Sequence, residues 1–322
     1  MIPPKDQLTI CFAHAAYQMK ACYDALNTGI RNFELREREE FDRRAHEAVV
    51  IVVSGMWLNG LIPLATNLRF IQSIGSGTDQ FDKAQLAARG VRLASAAGVN
   101  ARAVSEHAMS LILALARRLP EARDNQARRF WRGMIGDLSQ REDELAGKTL
   151  LIIGLGRIGG RLAQLAKAFD MNVVGFRRDP GAGRGAADSV HTLAELATFL
   201  PKADFVALTC PLVPETKGVI DAKALELMQR SAYLVNVGRG PCVVEDALIE
   251  ALQAGRIAGA ALDCTEPEPP ENTSPLWAMP NVFITPHTGG ETRKYEANVI
   301  EILIENLDRL WRGETALRNQ IV

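Results

Sequence analysis

The sequence predicts an α/β protein made of two doubly wound parallel-sheet domains, and three observations predict it. At 322 residues the chain exceeds what one ordinary hydrophobic core serves and suits two. Short apolar runs alternate with helical patterns almost from end to end. The runs fall into two series, parted by a long stretch without strand character. Alternation of this kind means crossover helices laid on a parallel sheet.

The first series holds candidate strands at 8–12, 49–53, 70–73 and 91–93. The second holds 150–153, 173–176, 205–208, 234–237, 260–263 and 282–285. These runs are apolar on both faces, as strands inside a parallel sheet are. The segments between them read as helices. In 161–169, Leu162, Leu165, Ala166 and Phe169 recur at i, i+3, i+4 and i+7, one stripe facing the sheet. Residues 101–119, apolar through Leu111, Ile112, Leu113 and Leu115, form the expected join between the domains. Residues 117–147 are charged and weakly periodic, an excursion rather than part of a sheet. The segment 295–311 is a strong amphipathic helix with Val299, Ile302, Leu303, Asn306 and Leu310 near one face.

Composition narrows the function classes. Apolar residues make up 47% and charged residues 23%, the balance of a soluble globular protein. The net charge is −1 and basic residues are interspersed with acidic ones, so no nucleic-acid partner is expected. No apolar run approaches the ~20 residues that span a bilayer, so no membrane partner is expected. The opening MIPPKDQLTI lacks the basic-then-apolar layout of a secretory signal, and a cytoplasmic location is expected. Cys11, Cys22, Cys210, Cys242 and Cys264 show no CxxC spacing; they read as reduced thiols, with no disulfide frame and no metal site.

The run LLIIGLGRIGG places Gly154, Gly156 and Gly159 in GxGxxG spacing, after a strand and at the start of a helix. In that context Gly154 permits the tight turn, Gly156 lets the backbone approach a pyrophosphate and Gly159 lets the helix pack close to the strand. The helix N-terminus offers N–H groups to the phosphates. A dinucleotide is therefore the expected cofactor. An NAD-selective site places an acidic residue ~20 positions past the loop to bind the ribose 2′-hydroxyl. Here Arg177 stands there, followed by Arg178. Both attract a 2′-phosphate and neither accepts a hydrogen bond, which favours NADP over NAD. Two alternatives stand beside this: Asp179, one residue on, reaches back and restores NAD use, or the arginines are simply solvated.

Three further features end strands of the second series. Gly238-Arg239-Gly240 presents a planar guanidinium suited to a carboxylate. Asp263-Cys264-Thr265-Glu266-Pro267-Glu268 is an acidic, proline-rich loop, and Thr285-Pro286-His287 follows a buried strand. Each alone has an ordinary structural explanation: a surface ion pair, a solvated loop, a structural histidine. Together they stand at the carboxyl ends of strands, where open α/β sheets bind ligands. Reduction of a keto acid needs a hydride donor, a cation for the carboxylate and a proton donor for the nascent alkoxide. Arg239 and His287 supply the last two, and a carboxylate beside the histidine favours its imidazolium form.

With these residues in view, the chain resembles the D-isomer-specific 2-hydroxyacid dehydrogenase family. That family includes glyoxylate/hydroxypyruvate reductases, D-lactate dehydrogenases and phosphoglycerate dehydrogenases. The matching stretches are GVNARAVSEHAMSLILALAR, LAGKTLLIIGLGRIGG, CPLVPETKGVI, VNVGRG, ALDCTEPEPPENTSPLW and TPHTGG. They cover nearly the whole chain, most densely from Val99 to Gly290.

The resemblance implies a Rossmann cofactor domain over 101–290 and a discontinuous, flavodoxin-like substrate domain over 1–100 and 291–322. It implies that Arg239 binds and polarises the substrate, that His287 is the acid/base, and that Glu268 orients and charges His287. Glu268 is preferred to Glu266 because the family's glutamate lies five residues after its aspartate, here Asp263, just before a proline. Asp263 is then expected to hold the nicotinamide carboxamide, Val104 to contact the nicotinamide, and Cys210 and Pro211 to line the adenine side. Arg157, Ile158, Thr216, Val237, Gly238 and Gly289, all within the matching stretches, join the expected cofactor contacts. The amides of Ser76 and Gly77 are expected to receive the substrate carboxylate. Met56 and Trp57, in the loop after strand 49–53, are candidates for selecting its side chain, with ordinary packing as the alternative. The partner implied is a small 2-keto or 2-hydroxy acid of the glyoxylate, hydroxypyruvate or pyruvate type. The resemblance also implies a homodimer through 101–147, where Trp131 reaches the partner's site or packs the interface. The sequence ends at Val322, so the C-terminal regulatory domains of longer phosphoglycerate dehydrogenases are not expected. Two other readings stand beside this one: a dinucleotide-sensing co-regulator without significant turnover, and a relative acting on another anion such as formate or phosphite.

Overall fold

Residues 2–322 are described in this computed structural model. Two units divide the chain: one runs to Asn100 and resumes at Glu291–Val322, the other is Ala101–Gly290. In the first, β1 (Thr9–Ala13), β2 (Arg31–Leu35), β3 (Val50–Val53), β4 (Phe70–Ser73) and β5 (Arg92–Ala94) form one parallel sheet in the order β2-β1-β3-β4-β5. That is the flavodoxin-like order, with its topological switch between β1 and β3. Strand alternation divides the core. Ile10, Phe12, Val50, Val52 and Phe70 face the helix Tyr295–Trp311, while Cys11, Ala13, Ile51, Val53 and Ile71 face the other layer. The expected stripe of Tyr295–Trp311 is buried, Asn306 included. Asn306 is satisfied there: it donates to Gln72 Oε1 at 3.1 Å and to the Arg318 carbonyl at 3.2 Å, and accepts from Arg318 N–H at 2.7 Å.

In the second unit, β6 (Thr149–Ile153), β7 (Asn172–Phe176), β8 (Ser189–His191), β9 (Phe205–Leu208), β10 (Tyr233–Asn236), β11 (Gly259–Leu262) and β12 (Val282–Ile284) form a parallel sheet. Its order is β12-β11-β10-β9-β6-β7-β8. The switch lies between β6 and β9, as in a Rossmann sheet. Leu151, Ile153, Val206 and Leu208 enter one core; Leu150, Ile152, Phe205 and Ala207 enter the other, beneath Ala101–Ala116 and Arg157–Ala168.

The predicted class, two parallel-sheet α/β domains, is the observed one. Two strands have no counterpart in the sequence-based expectation, β2 and β8. Both are edge strands: Arg31–Leu35 is exposed or half-buried over four of its five residues, and Ser189–His191 is half-buried throughout. Neither therefore carries the continuous apolar run that marks an interior strand. The expected join ends early. Its helix stops at Ala116, Arg118 takes a left-handed conformation at φ 50°, and Leu119–Ala127 begins a second helix. No helix among the described residues is long and apolar enough to cross a membrane.

Candidate functional site

Because every strand of the second sheet runs the same way, the residues that follow the strands share one edge. Along it, from β12 to β7, stand His287, the loop Asp263–Glu268, Arg239, Cys210, the glycine loop and Arg177. At ~4.8 Å per interstrand step, the arginine after β7 is about 19 Å from the acidic loop after β11. The two groups are thus set to meet opposite ends of one extended ligand.

The glycine loop is shaped as the motif requires. Gly154 has φ +105°, and a Cβ there would lie 2.5 Å from the Cys210 amide nitrogen. Gly156 is the N-cap of Arg157–Ala168, so Arg157, Ile158 and Gly159 form its first turn. A Cβ on Gly159 would lie 2.4 Å from the Gly154 carbonyl oxygen and 2.8 Å from Thr209 Oγ1. The helix start is therefore pressed against the ends of β6 and β9, leaving a cradle of bare backbone. That shape fits a dinucleotide pyrophosphate.

The flanking residues follow. Cys210 is buried, and its carbonyl would lie 2.9 Å from a Cβ on Gly238. The Thr216 hydroxyl donates to the Pro211 carbonyl at 2.7 Å and accepts from Val213 N–H at 2.9 Å, closing the loop after β9. Val237 donates its N–H to the Leu208 carbonyl at 3.1 Å and is almost buried. Val104, 5% exposed, packs in the core cluster that includes Ile152 and Leu155. Past β7, Arg177 donates to the Gly183 carbonyl at 3.1 Å and Arg178 is exposed. Asp179 accepts from Gly181 N–H at 2.9 Å, so its carboxylate caps the turn Pro180–Ala182.

At the other end, His287 Nδ1 and Glu268 Oε1 are 2.5 Å apart, both side chains about two-fifths exposed. The hydrogen bond to Glu268 raises the His287 pKa above the ordinary histidine value of 6.5; desolvation and the nearby Arg239 cation oppose the rise, and Asp263 assists it. Arg239 is half-buried and donates through Nη1 to the Gly238 carbonyl at 2.8 Å. Its backbone is tied in turn: Asn236 Nδ2 donates to the Arg239 carbonyl and Asn236 Oδ1 accepts from Gly238 N–H, both at 3.0 Å. Glu266 donates its backbone N–H to Glu245 Oε2 at 3.3 Å.

Unlike His287, Glu268 and Arg239, Asp263 is buried, at 3% exposure. Thr285 Oγ1 donates to its Oδ1 at 2.6 Å, Thr288 N–H to Oδ1 at 3.1 Å and Gly289 N–H to Oδ2 at 3.0 Å. His107 Nε2 stands 3.3 Å from Oδ1. Desolvation works against the carboxylate, and the donors, led by His107, prevail and lower its pKa. His107 escaped sequence reasoning; the only signal was a polar residue beside the buried face of Ala101–Ala116.

In the first unit, Ser76 Oγ donates to Asn100 Oδ1 at 3.1 Å, and Gly75 N–H donates to Ser73 Oγ at 3.2 Å. The Tyr295 hydroxyl donates to the Ile74 carbonyl, anchoring the strand end that leads into Gly75–Gly77. Met56 is half-buried. Trp57 is a correction: at 1% exposure it packs 5.6 Å from the Phe81 ring and donates to Asn59 Oδ1 at 3.1 Å. Its side chain belongs to the core, the ordinary packing given as its alternative. All five cysteines are free. Among the described residues, no group of three or more His, Cys, Asp or Glu is placed to hold a metal ion.

Comparison with known proteins gives the same direction. Residues 109–289 match the model of the D-isomer specific 2-hydroxyacid dehydrogenase NAD binding domain. A glyoxylate reductase of Thermofilum pendens is 33% identical, over 98% of this chain and 93% of that protein. A D-3-phosphoglycerate dehydrogenase of Methanocaldococcus jannaschii is 36% identical over 87% of this chain. The chain spans about half the length of the phosphoglycerate dehydrogenases it matches. Among solved structures, a D-isomer specific 2-hydroxyacid dehydrogenase family protein from Aeromonas salmonicida is similar at TM-score 0.85 and 30% identity, over 98% of this chain and 99% of that one.

Proposed function

The chain belongs to the D-isomer-specific 2-hydroxyacid dehydrogenase family, and on that premise we propose that it reduces a small 2-keto acid to the D-2-hydroxy acid with NAD(P)H. The observation that carries the reading is the 2.5 Å pair of His287 and Glu268, on the sheet edge that also bears Arg239 and the glycine cradle.

When bound, the dihydronicotinamide supplies the hydride. The chain's own residues do the rest. Arg239 binds the substrate carboxylate and polarises the carbonyl through its planar fork. Glu268 holds His287 Nδ1, so the proton that leaves is on Nε2, and His287 gives it to the nascent alkoxide. The raised His287 pKa keeps that proton in place at higher pH than a lone histidine would. On the first unit, the amides of Ser76 and Gly77 receive the carboxylate and Met56 borders the substrate side chain, the roles family membership implies. Asp263 and Val104 serve the nicotinamide end, Cys210 and Pro211 the adenine side, and Thr216 and Gly289 are further cofactor contacts.

The preferred cofactor in this reading is NADP. Its support is the pair Arg177 and Arg178, which stand after β7 where an NAD-selective site carries an acidic residue. The protein acts as a homodimer in the cytoplasm. The support for the dimer is a run of exposed apolar side chains on one segment: Leu119, Phe130, Trp131, Met134 and Leu138. Oxidation of NADPH and NADH by glyoxylate, hydroxypyruvate and pyruvate tests the whole reading. Turnover with at least one, faster with NADPH, is expected; no turnover with any would favour a dinucleotide sensor.

A further inference from the structure

His287 sits on a loop that needs holding. It has φ +55°, a left-handed conformation that is unfavourable for a non-glycine residue. Its imidazole is exposed, so contacts on the inner side of the loop must keep it in place. Those contacts converge on Asp263 through Thr285, Thr288 and Gly289, and Thr285 also accepts the His287 N–H at 3.0 Å.

One further side chain enters this network, from the helix Ala101–Ala116. His107 Nε2 is 2.9 Å from Thr285 Oγ1. A threonine hydroxyl has one hydrogen, and at 2.6 Å that hydrogen goes to Asp263. His107 must therefore donate, with its proton on Nε2. The chain runs one way: His107 Nε2–H to Thr285 Oγ–H to Asp263 Oδ1.

We propose that His107 is a positioning residue for His287: by donating through Thr285 to Asp263 it latches the loop 285–289 and holds the imidazole on Glu268. This rests on the reading of His287 as proton donor. The latch gives a partner to a polar residue beside the buried face of that helix, and a donor to the anion of Asp263 in a buried place. The charged groups facing His287 are Glu268, Asp263 and Arg239, and the ionisable partner of Asp263 is His107.

The test compares His107→Leu, which removes the donor, with His107→Gln, whose side-chain amide can donate from near the same place. Two readouts are taken: the NMR titration of His287 in full-length protein, and kcat and KM for the keto acid as a function of pH. With the Leu variant, the His287 titration moves to lower pH as its bond to Glu268 loosens. kcat falls on the order of ten- to a hundredfold, as misplacement of a reacting group does, while KM changes less than about threefold. The Gln variant restores both readouts to near wild type. Thr285→Val breaks the same chain without touching the helix, and carries the test if the Leu variant does not fold. Combined with His107→Leu it adds nothing further, since both remove one link. An unmoved titration and kcat in the Leu or Val variant overturns the latch, as does a Gln variant as impaired as Leu. Absence of any keto-acid turnover by wild type would sink the proposed function instead, and the titration would still judge the latch.

Discussion

Gly159→Ala should push the helix start away from the glycine loop and weaken dinucleotide binding. The added methyl would lie 2.4 Å from the Gly154 carbonyl oxygen, 2.8 Å from Thr209 Oγ1 and 2.9 Å from Ile152 Cγ2. Ordinary contacts are ~3.5 Å, so the helix start must retreat by about 1 Å. A phosphate–amide hydrogen bond of ~2.8 Å stretched that far is no longer one. Each bond to a charged group is worth about 1.5–3 kcal/mol, so losing one or two weakens dinucleotide binding by about 3 kcal/mol, roughly a hundredfold. The overpacking itself costs about 1–3 kcal/mol, at roughly 2–4 °C of Tm each. Gly160 is the built-in control: a Cβ there meets nothing within 4 Å, and alanine gains about 1 kcal/mol of helix propensity. Calorimetric titration with NADPH measures both variants. Gly160→Ala should bind like wild type, or better folded; a Gly159→Ala protein binding within threefold of wild type would refute the cradle.

Other expectations follow from the same edge. Glu268→Gln removes the main cause of the raised His287 pKa, so the imidazolium is lost at lower pH. Reductase activity, full below that pKa and falling as pH rises through it, should then fall earlier in a kcat/KM profile. The same pair stabilises the fold most below the ordinary histidine pKa and stops doing so as pH passes the raised value, so the stability advantage of wild type over Glu268→Gln should shrink with rising pH in denaturant titrations. Replacing Arg177 and Arg178 by Ser should cut kcat/KM for NADPH on the order of ten- to a hundredfold and leave NADH within about threefold, since two cations near a 2′-phosphate are lost; equal losses for both cofactors would count against the assignment. Exchanging Trp131 and Met134 for Ser should shift sedimentation towards monomer, because both are almost wholly exposed in one chain.

Much of this edge was legible in sequence because a parallel sheet converts order along the chain into position in space. Each of Gly154, Cys210, Arg239, Asp263 and His287 follows a short apolar run, and a shared strand direction puts them together. What was not legible depends on pairing. β2 and β8 are sheet edges, and an edge strand need not be apolar on both faces. Trp57 follows a strand as Met56 does, but only packing shows that its ring turns into the core beside Phe81. Asp179 follows Arg177 and Arg178 in sequence, but only the structure shows that its Oδ1 accepts from Gly181 N–H. His107 lies 178 residues from Thr285, and nothing local in either segment announces their hydrogen bond.

If Arg239, Glu268 and His287 carry out keto-acid reduction beside a bound dinucleotide, removing the proton donor must abolish turnover and spare dinucleotide binding. NADPH oxidation with glyoxylate, hydroxypyruvate and pyruvate in wild type and His287→Ala, each matched to its measured NADPH affinity, decides this. Wild type should turn over, the variant should lose on the order of a hundredfold or more, and NADPH binding should be unchanged. Equal rates in the two proteins, or no turnover in either, would contradict that chemistry.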